Sequence, residues 1–261
     1  VRVGHAGRRA TGGDLLWQHT LNVPVPVDTG TNWLESYRRL AERIGAPFQG
    51  RPALEVPADR RERAAGVLRE RGLAEGERAL AVQVGVWPHQ EWKQWPPRML
   101  GEACSVLWRT RGLRPVLLGS DTGERTRREL RAAAPEVPFI DLVGSTTIGE
   151  AAAVLDRCAV SICNDSGLMH LSAAVGTPTV ALYGMTDPEI TWCYGPGHRV
   201  VRRQDCRPCY SVAPEVLAAC PHKMCLAALP VDAVVAAAGE LAEDGPAPLA
   251  VPRRPGTAVN G

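Results

Sequence analysis

Residues 161–184 read SICNDSGLMHLSAAVGTPTVALYG, and this stretch decides the fold. Its apolar, β-branched runs predict strands at Ala159–Cys163 and Thr179–Tyr183, and the residues between them predict a helix at Leu168–Val175. Gly176 ends that helix, because glycine readily adopts the left-handed backbone of a helix C-terminus. A strand, a tight turn, a helix and a second strand form one repeat of an α/β fold with a parallel sheet.

The same alternation runs through the chain from Arg78 onward. Further strands are predicted at Ala79–Val84, Arg114–Leu118, Phe139–Leu142 and Arg199–Arg202. Further helices are predicted at Pro97–Thr110, Gly123–Ala133, Thr147–Arg157 and Pro230–Glu243, the third of them opened by a capping box of Thr147 and Glu150. We therefore assign the chain to the α/β class.

Residues 1–60 depart from this pattern. Only Trp33–Ile44 predicts an amphipathic helix, and five prolines interrupt the rest of the segment. Sixty such residues supply about one strand–helix unit, so we expect the chain to begin late in a longer ancestral protein. Residues 1–60 are then a remnant of an N-terminal domain with its linker, residues 61–243 a binding domain, and residues 244–261 a disordered tail rich in Pro and Gly.

The turn after the strand at 159–163 predicts an anion site. The backbone N–H groups near Ser166 begin a helix, where the helix dipole favours negative charge. Ser166 and His170 are four residues apart and share one helical face, so both can approach one ligand, and Asp165 is predicted to cap the helix. The alternative is that Asp165 and Ser166 only cap the helix and that His170 is a partly buried side chain with satisfied hydrogen bonds.

Residues 165–188 resemble glycosyltransferase family 9, whose pattern D-S/T-G-x-x-H-L-x-A-A-x-G-T-P-T-V-A-L-F/Y-G-x-T-D-P they match nearly throughout. EWKQWP at 91–96 resembles the K-x-W-P element of the family, and residues 115–124 resemble its next strand and acidic residue. The resemblance covers residues 80–240 well and residues 1–46 weakly. It implies a GT-B fold, with a Rossmann-like nucleotide-sugar-binding domain and here a remnant of the acceptor-side N-terminal domain.

The activity implied by the resemblance is transfer of a heptose-like sugar from a nucleoside diphosphate sugar, ADP-heptose in the best-studied members. The acceptor would be a lipopolysaccharide core, another glycan or a lipid-linked molecule, with inversion and without a catalytic metal or cofactor. One alternative is a truncated nucleotide-sugar-binding module without turnover. Another is a small metal-binding interaction module organised by the cysteines at 206–225.

The resemblance also implies roles for individual residues. Lys93 matches the lysine that neutralises the donor phosphates, and its alternative is a solvated loop lysine. Glu124 matches an acidic residue that contacts the ribose hydroxyls, and its alternative is an exposed glutamate in a first helical turn. Asp165, Ser166, Gly167 and His170 match the family's segment that contacts the diphosphate and the sugar.

Two features depart from the family pattern. The loop at 84–87 lacks the small hydroxyl residue that often follows the glycine, which removes one expected diphosphate contact. The catalytic base of the family is an acidic residue in a G-D turn after the first strand. Gly13-Asp14 has the letters but follows glycines and arginines instead of an apolar strand, so we assign no catalytic residue and expect the base to be absent from this chain.

Four cysteines lie within twenty residues, at Cys206, Cys209, Cys220 and Cys225. This spacing favours tetrahedral binding of a structural zinc or iron ion, with His222 as a substitute ligand. Disulfides or redox-labile pairs, and buried thiols without metal, are the alternatives. Because a closed site with four protein ligands leaves no open coordination position, such a metal would stabilise the loop and would not take part in catalysis.

The composition excludes several classes of protein. Hydrophobic residues make up 45% and charged residues 22%, as in ordinary globular domains, and a formal net charge of +2 gives no global attraction to nucleic acid or a membrane. The apolar runs are far shorter than the roughly 20 residues of a bilayer span, and residues 1–20 lack the apolar core of a secretory signal. We expect a cytoplasmic protein without a transmembrane segment.

Overall fold

A computed structural model describes residues 3–7, 23–27, 31–87, 90–120, 124–192, 195, 197–203, 205–206, 208–209 and 225–244. The chain divides into two compact units, one of residues 1–51 with 187–192 and one of residues 52–186 with 193–261. The boundary at 60/61 expected from the sequence falls inside a helix that begins at Ala58.

Secondary structure elements are numbered along the chain within the described residues. The strands are β1 (Val3–Gly7), β2 (Val23–Val27), β3 (Arg78–Gln83), β4 (Leu113–Leu118), β5 (Ile140–Asp141), β6 (Cys158–Asn164), β7 (Thr179–Leu182) and β8 (His198–Val201). The helices are α1 (Trp33–Arg43), α2 (Ala58–Glu70), α3 (Pro97–Arg111), α4 (Glu124–Ala133), α5 (Ile148–Asp156), α6 (Gly167–Val175), α7 (Pro188–Thr191) and α8 (Val231–Asp244). A 3₁₀ helix spans Glu91–Lys93.

Strands β1 and β2 of the first unit pair in parallel, with Val3 opposite Val23. Neither strand was predicted from the sequence, because prolines interrupt this segment. Pro24 and Pro26 lie two residues apart, so both missing N–H groups fall on the same edge of β2. The other edge keeps its N–H groups and pairs with β1.

Helix α1 confirms the amphipathic helix predicted at Trp33–Ile44. Asn32 begins it, with the side-chain oxygen accepting a hydrogen bond from the Leu34 N–H at 2.9 Å. The Asn32 amide nitrogen donates to the Glu189 carbonyl at 2.9 Å. This bond ties α1 to α7, and α7 therefore belongs to the first unit although it follows β7 in sequence.

The second unit is built on a parallel sheet of six described strands in the order β5-β4-β3-β6-β7-β8. The chain starts in the middle at β3, extends to one edge through β4 and β5, and returns to β6 on the other side of β3. This is the strand order of a doubly wound Rossmann-type sheet, and its direction reverses between β3 and β6. Ligands of such sheets bind beyond the carboxyl ends of the strands at that reversal.

Helices cover both faces of this sheet. Leu80 and Val82 of β3 contribute to a core cluster with residues of α3 and α8, whereas Ala79 and Ala81 contribute to a second cluster with α2 and α5. Successive side chains of a strand point to opposite faces, so an uninterrupted apolar run satisfies two cores at once. The strands of the sheet therefore read as continuous apolar stretches in the sequence.

The ends of the helices follow local signals. Both hydrogen bonds of the predicted capping box between Thr147 and Glu150 are present at the start of α5. Helix α6 ends at Gly176, whose φ of 89° is left-handed. Helix α2 was not predicted, because it is rich in charged residues and buries only Ala64 and Leu68, too few for a recognisable apolar stripe.

The other predicted helices and strands of the second unit are confirmed, with ends that shift by a residue or two. Helix α8 extends to Asp244, and residues 245–261 of the expected tail lie outside the described residues. Among the helices of the described segments, none has the length and hydrophobicity to cross a bilayer.

Candidate functional site at the carboxyl edge of the sheet

Five of the six predicted donor-site residues lie close together where β3 and β6 end. Asp165 and Ser166 directly follow β6, and helix α6 begins at Gly167. Lys93 lies in the loop after β3, at the end of the 3₁₀ helix. These two loops are neighbours because β3 and β6 are adjacent in the sheet, at the reversal of the strand order.

Lys93 and Asp165 form an ion pair, with 3.0 Å between Nζ of the lysine and Oδ2 of the aspartate. The two side chains are only 17% and 7% exposed. The Lys93 ammonium also lies over the ring of Trp92, 5.4 Å from its centroid. The Lys93 ammonium is therefore fixed by its contacts with Asp165 and Trp92, and Lys93 is not a solvated loop lysine.

Helix α6 begins without a capping side chain among the described residues. Ser166 is the N-cap residue and has extended backbone angles, but its hydroxyl makes no bond to the amides of the first turn. The prediction that Asp165 caps this helix is wrong, because the Asp165 carboxylate pairs with Lys93. The first amides of α6 thus remain open to an anion, and Gly167 is exposed.

Two buried amides, absent from the predicted site, connect the loops. Gln83 ends β3, and its Oε1 accepts hydrogen bonds from the Asn164 N–H and from the Ser166 hydroxyl, both at 2.9 Å. Asn164 ends β6, and its Oδ1 accepts from the Trp95 N–H at 2.9 Å. The available signal was the position of a polar amide at the carboxyl end of each of two apolar strands.

His170 lies one turn into α6 and is partly buried. Burial lowers the pKa of its imidazole, while the nearby Asp165 carboxylate raises this pKa and the Lys93 ammonium lowers it. The net shift is downward, so the ring is neutral at neutral pH and can donate one hydrogen bond and accept another.

A cleft of about 440 Å³ opens beside these residues. Its described lining comes from the loop after β3, the segment around the 3₁₀ helix and the start of α4: Gly85, Val86, Glu91, Gln94, Pro97, Arg125 and Thr126. Gln94 donates to the Thr126 hydroxyl at 2.9 Å and so joins two of these walls. The cleft is large enough for part of a nucleotide.

Glu124 stands apart from the cluster around Lys93. It is the first residue of α4, next to the cleft residue Arg125, and its side chain is 74% exposed. Its carboxylate forms an ion pair with Arg127 within the helix, at 2.5 Å. The structure therefore brings together Lys93, Asp165, Ser166, Gly167 and His170, and leaves Glu124 at the edge of the cleft.

A family model described as Glycosyltransferase family 9 (heptosyltransferase) matches residues 1–216. The chain belongs to glycosyltransferase family 9. The predicted membership is thereby confirmed, and the match extends over the described residues of the site.

Among curated proteins, the lipooligosaccharide heptosyltransferase 2 of Haemophilus influenzae is similar to this family 9 chain, with 37% identity over 122 residues. The match covers 44% of this chain and 34% of the relative, so the chain is matched to about a third of that relative's length.

Solved structures share the fold. A family 9 glycosyltransferase from Veillonella parvula superposes with a TM-score of 0.76 at 22% identity, covering 88% of this chain and 66% of the other. The E. coli ADP-heptose LPS heptosyltransferase II superposes with a TM-score of 0.72 at 21% identity, covering 92% and 70%. These likenesses and the six-stranded parallel sheet confirm the predicted α/β fold of the GT-B type.

Three of the four clustered cysteines lie within the described residues. Cys209 and Cys225 are buried together with Met185, and Cys206 packs against them together with Trp92. Within the segments that the structure describes, no three His, Cys, Asp or Glu side chains have the geometry of a metal site. The predicted ligands Cys220 and His222, and the Gly13-Asp14 turn, lie outside those segments.

Proposed function

We propose that this family 9 chain is a glycosyltransferase of lipopolysaccharide biosynthesis, with ADP-heptose as donor and a lipopolysaccharide core as acceptor. The observation that carries the proposal is the held Lys93 ammonium beside the uncapped N-terminus of α6, at the carboxyl edge of a Rossmann-type sheet. Positive charge and open amides are what a nucleoside diphosphate requires of its site.

The proposed chemistry is an inverting displacement at the anomeric carbon. The oxygen of an acceptor hydroxyl forms the new bond and gives up its proton to water, the bond from the anomeric carbon to the diphosphate oxygen breaks, and the diphosphate leaves with the electron pair. Lys93 and the first amides of α6 stabilise the negative charge that develops on the leaving oxygen. Because these groups supply the positive charge, we propose that transfer needs no catalytic metal, and we assign no base among the described residues.

We propose that the nucleoside occupies the cleft of about 440 Å³, with Glu124 of α4 turning from Arg127 to the ribose hydroxyls. Asp165 is held by Lys93 and faces the same site, where it can accept hydrogen bonds from sugar hydroxyls. We propose that His170, neutral and one turn further along α6, binds the diphosphate or the sugar.

Nucleotide binding tests the proposal first. We expect calorimetric titration of the chain to show saturable binding of ADP over UDP and GDP, and Lys93→Ala to weaken it at least tenfold. Arg63→Ala is the matched control, because Arg63 belongs to an ion pair in α2 that is exposed on both sides. Absence of nucleotide binding by the folded chain would refute the proposal.

Transfer is tested separately by mass spectrometry of a heptose-deficient lipopolysaccharide core incubated with ADP-heptose and the chain. A mass increase of one heptose, lost in Lys93→Ala, is the expected result. Binding without transfer would identify a nucleotide-sugar-binding module and refute turnover by this chain.

We further propose that the loop at 206–225 holds a structural zinc or iron ion. Support comes from the spacing of the four thiols Cys206, Cys209, Cys220 and Cys225; the three that are described pack in one cluster but do not form a metal site by themselves. We also propose a cytoplasmic location, since Cys104 and Cys158 are free thiols, as is usual in a reducing compartment. Burial raises the pKa of each of these two thiols to about 12, so they are inert.

A further inference from the structure

Gln83 is a buried amide with three hydrogen bonds to the loops of the site. The residue is 6% exposed and lies at the end of β3, beside the reversal of strand order. Oε1 accepts from the Asn164 N–H and the Ser166 hydroxyl, and Nε2 donates to the Gly85 carbonyl at 3.1 Å. Two donors on one side and a carbonyl on the other fix the orientation of the amide.

The bond from Ser166 changes what this serine can do. A serine at the N-cap ordinarily accepts a hydrogen bond from an amide of the first turn and so satisfies the helix end. The Ser166 backbone is extended, as in such caps, yet its side chain makes no cap bond. Its hydroxyl proton is donated to Gln83 Oε1, and in the side-chain orientation set by this bond the lone pairs of the oxygen accept no hydrogen bond from the first amides of α6.

An uncapped helix N-terminus is costly unless another acceptor satisfies its amides. Here the amides lie beside Lys93, whose ammonium is fixed 3.0 Å from Asp165. A cap formed by Ser166 would compete with any anion for the same N–H groups. The hydrogen bond from Ser166 to Gln83 removes that competitor from the helix end that lies beside Lys93.

We propose that Gln83 is a positioning residue of the donor site, which binds the Ser166 hydroxyl and thereby keeps the N-terminus of α6 open for the diphosphate. This inference rests on the proposed function, because it requires that a nucleoside diphosphate binds there. Gln83 itself touches no ligand in this scheme. It acts through Ser166.

The test is a double-mutant cycle on ADP affinity. Gln83→Met keeps the volume and removes all three hydrogen bonds, so Ser166 is released to cap α6. We expect the dissociation constant for ADP to rise roughly fivefold, as an N-cap bond is worth about that factor. Adding Ser166→Ala to Gln83→Met removes the competing cap, and we expect it to restore most of the affinity.

That rescue separates positioning from a general loss of packing. If Gln83 only stabilised the fold, Ser166→Ala would weaken the Gln83→Met variant further or leave it unchanged, and either result would overturn the inference. Thermal unfolding of each variant measures the packing loss independently. ADP binding by the wild-type chain with failed rescue would refute the role of Gln83 alone, whereas no ADP binding by the wild type would refute the proposed function as well.

Hydrogen exchange of the wild-type chain gives a second measurement that needs no variant. We expect the amides at 167–169 to exchange rapidly without nucleotide and to become protected when ADP is added. Slow exchange in the absence of ADP would mean that these amides already have a partner and would overturn the inference. This readout remains available if Gln83→Met does not fold.

Discussion

Removal of the Lys93 ammonium is expected to destabilise the second unit strongly. Lys93 and Asp165 are separated by 3.0 Å and are 17% and 7% exposed. At an effective dielectric constant of about 20, this separation corresponds to an attraction of about 5.5 kcal/mol. Solvent at the partly exposed lysine reduces the net value, and loss of one partner from a buried pair typically costs about 3–5 kcal/mol. We therefore expect Lys93→Met to lower the free energy of unfolding by about 2–4 kcal/mol.

Urea unfolding at neutral pH, followed by far-ultraviolet circular dichroism, measures this loss. Arg63→Met is the control, because its pair with Asp59 has side chains that are 70% and 65% exposed and is expected to contribute less than about 1 kcal/mol. The double variant Lys93→Met/Asp165→Asn carries no uncompensated buried charge and should recover part of the lost stability. A Lys93→Met variant as stable as the control, or losses that simply add in the double variant, would refute the reasoning.

Three further predictions concern pH, backbone space and metal. Because burial lowers the pKa of His170 from 6.5, the unfolded chain binds a proton that the folded chain does not as the pH falls through this value. The free energy of unfolding should therefore decrease as the pH falls through this value. Urea unfolding of His170→Gln at several pH values should show a smaller decrease. The same pH profile for the variant and the wild type would contradict a lowered pKa of His170. A Cβ at Gly119 would collide with the carbonyl oxygen of Val84, so Gly119→Ala should unfold at a much lower temperature than the wild type. Gly66 lies in an open position of α2, so the control Gly66→Ala should raise the free energy of unfolding by about 0.5–1 kcal/mol. Equal melting temperatures of the two variants would argue against the close approach at Gly119. Elemental analysis of the purified chain should find one zinc or iron ion per chain, and the metal content of Cys206→Ser should be lower. A metal-free wild-type chain would contradict the proposed structural metal.

The fold of the second unit could be predicted because its signals are local. Buried parallel strands need continuous apolar runs, and helix ends need residues such as Thr147 and Gly176, so each element carries its own mark in the sequence. The failures have equally local causes. Strand β2 tolerates Pro24 and Pro26 because both fall on the edge that faces away from β1, and such an edge cannot be recognised before the pairing is known.

The site was predicted in its parts but not in its connections. The motif identified Lys93 and Asp165 separately, yet their contact joins residues 72 positions apart and depends on β3 lying next to β6. The role of Ser166 changed for the same reason. Its hydroxyl is bound by Gln83, a residue from another strand, and no local pattern marks the contact between these two residues.

The ion pair also explains how a buried carboxylate can stand beside a site for an anion. An isolated Asp165 would repel a diphosphate and would be costly to bury. The ion pair with Lys93 compensates the charge of Asp165. The same contact fixes the Lys93 ammonium, so the lysine side chain has less rotamer freedom to lose when it binds its ligand. Lys93 is then held in place before the donor arrives, and its ammonium and the amides of α6 need little rearrangement to meet the phosphates. Asp165 thus contributes to the proposed anion site through its partner, as Gln83 does through Ser166.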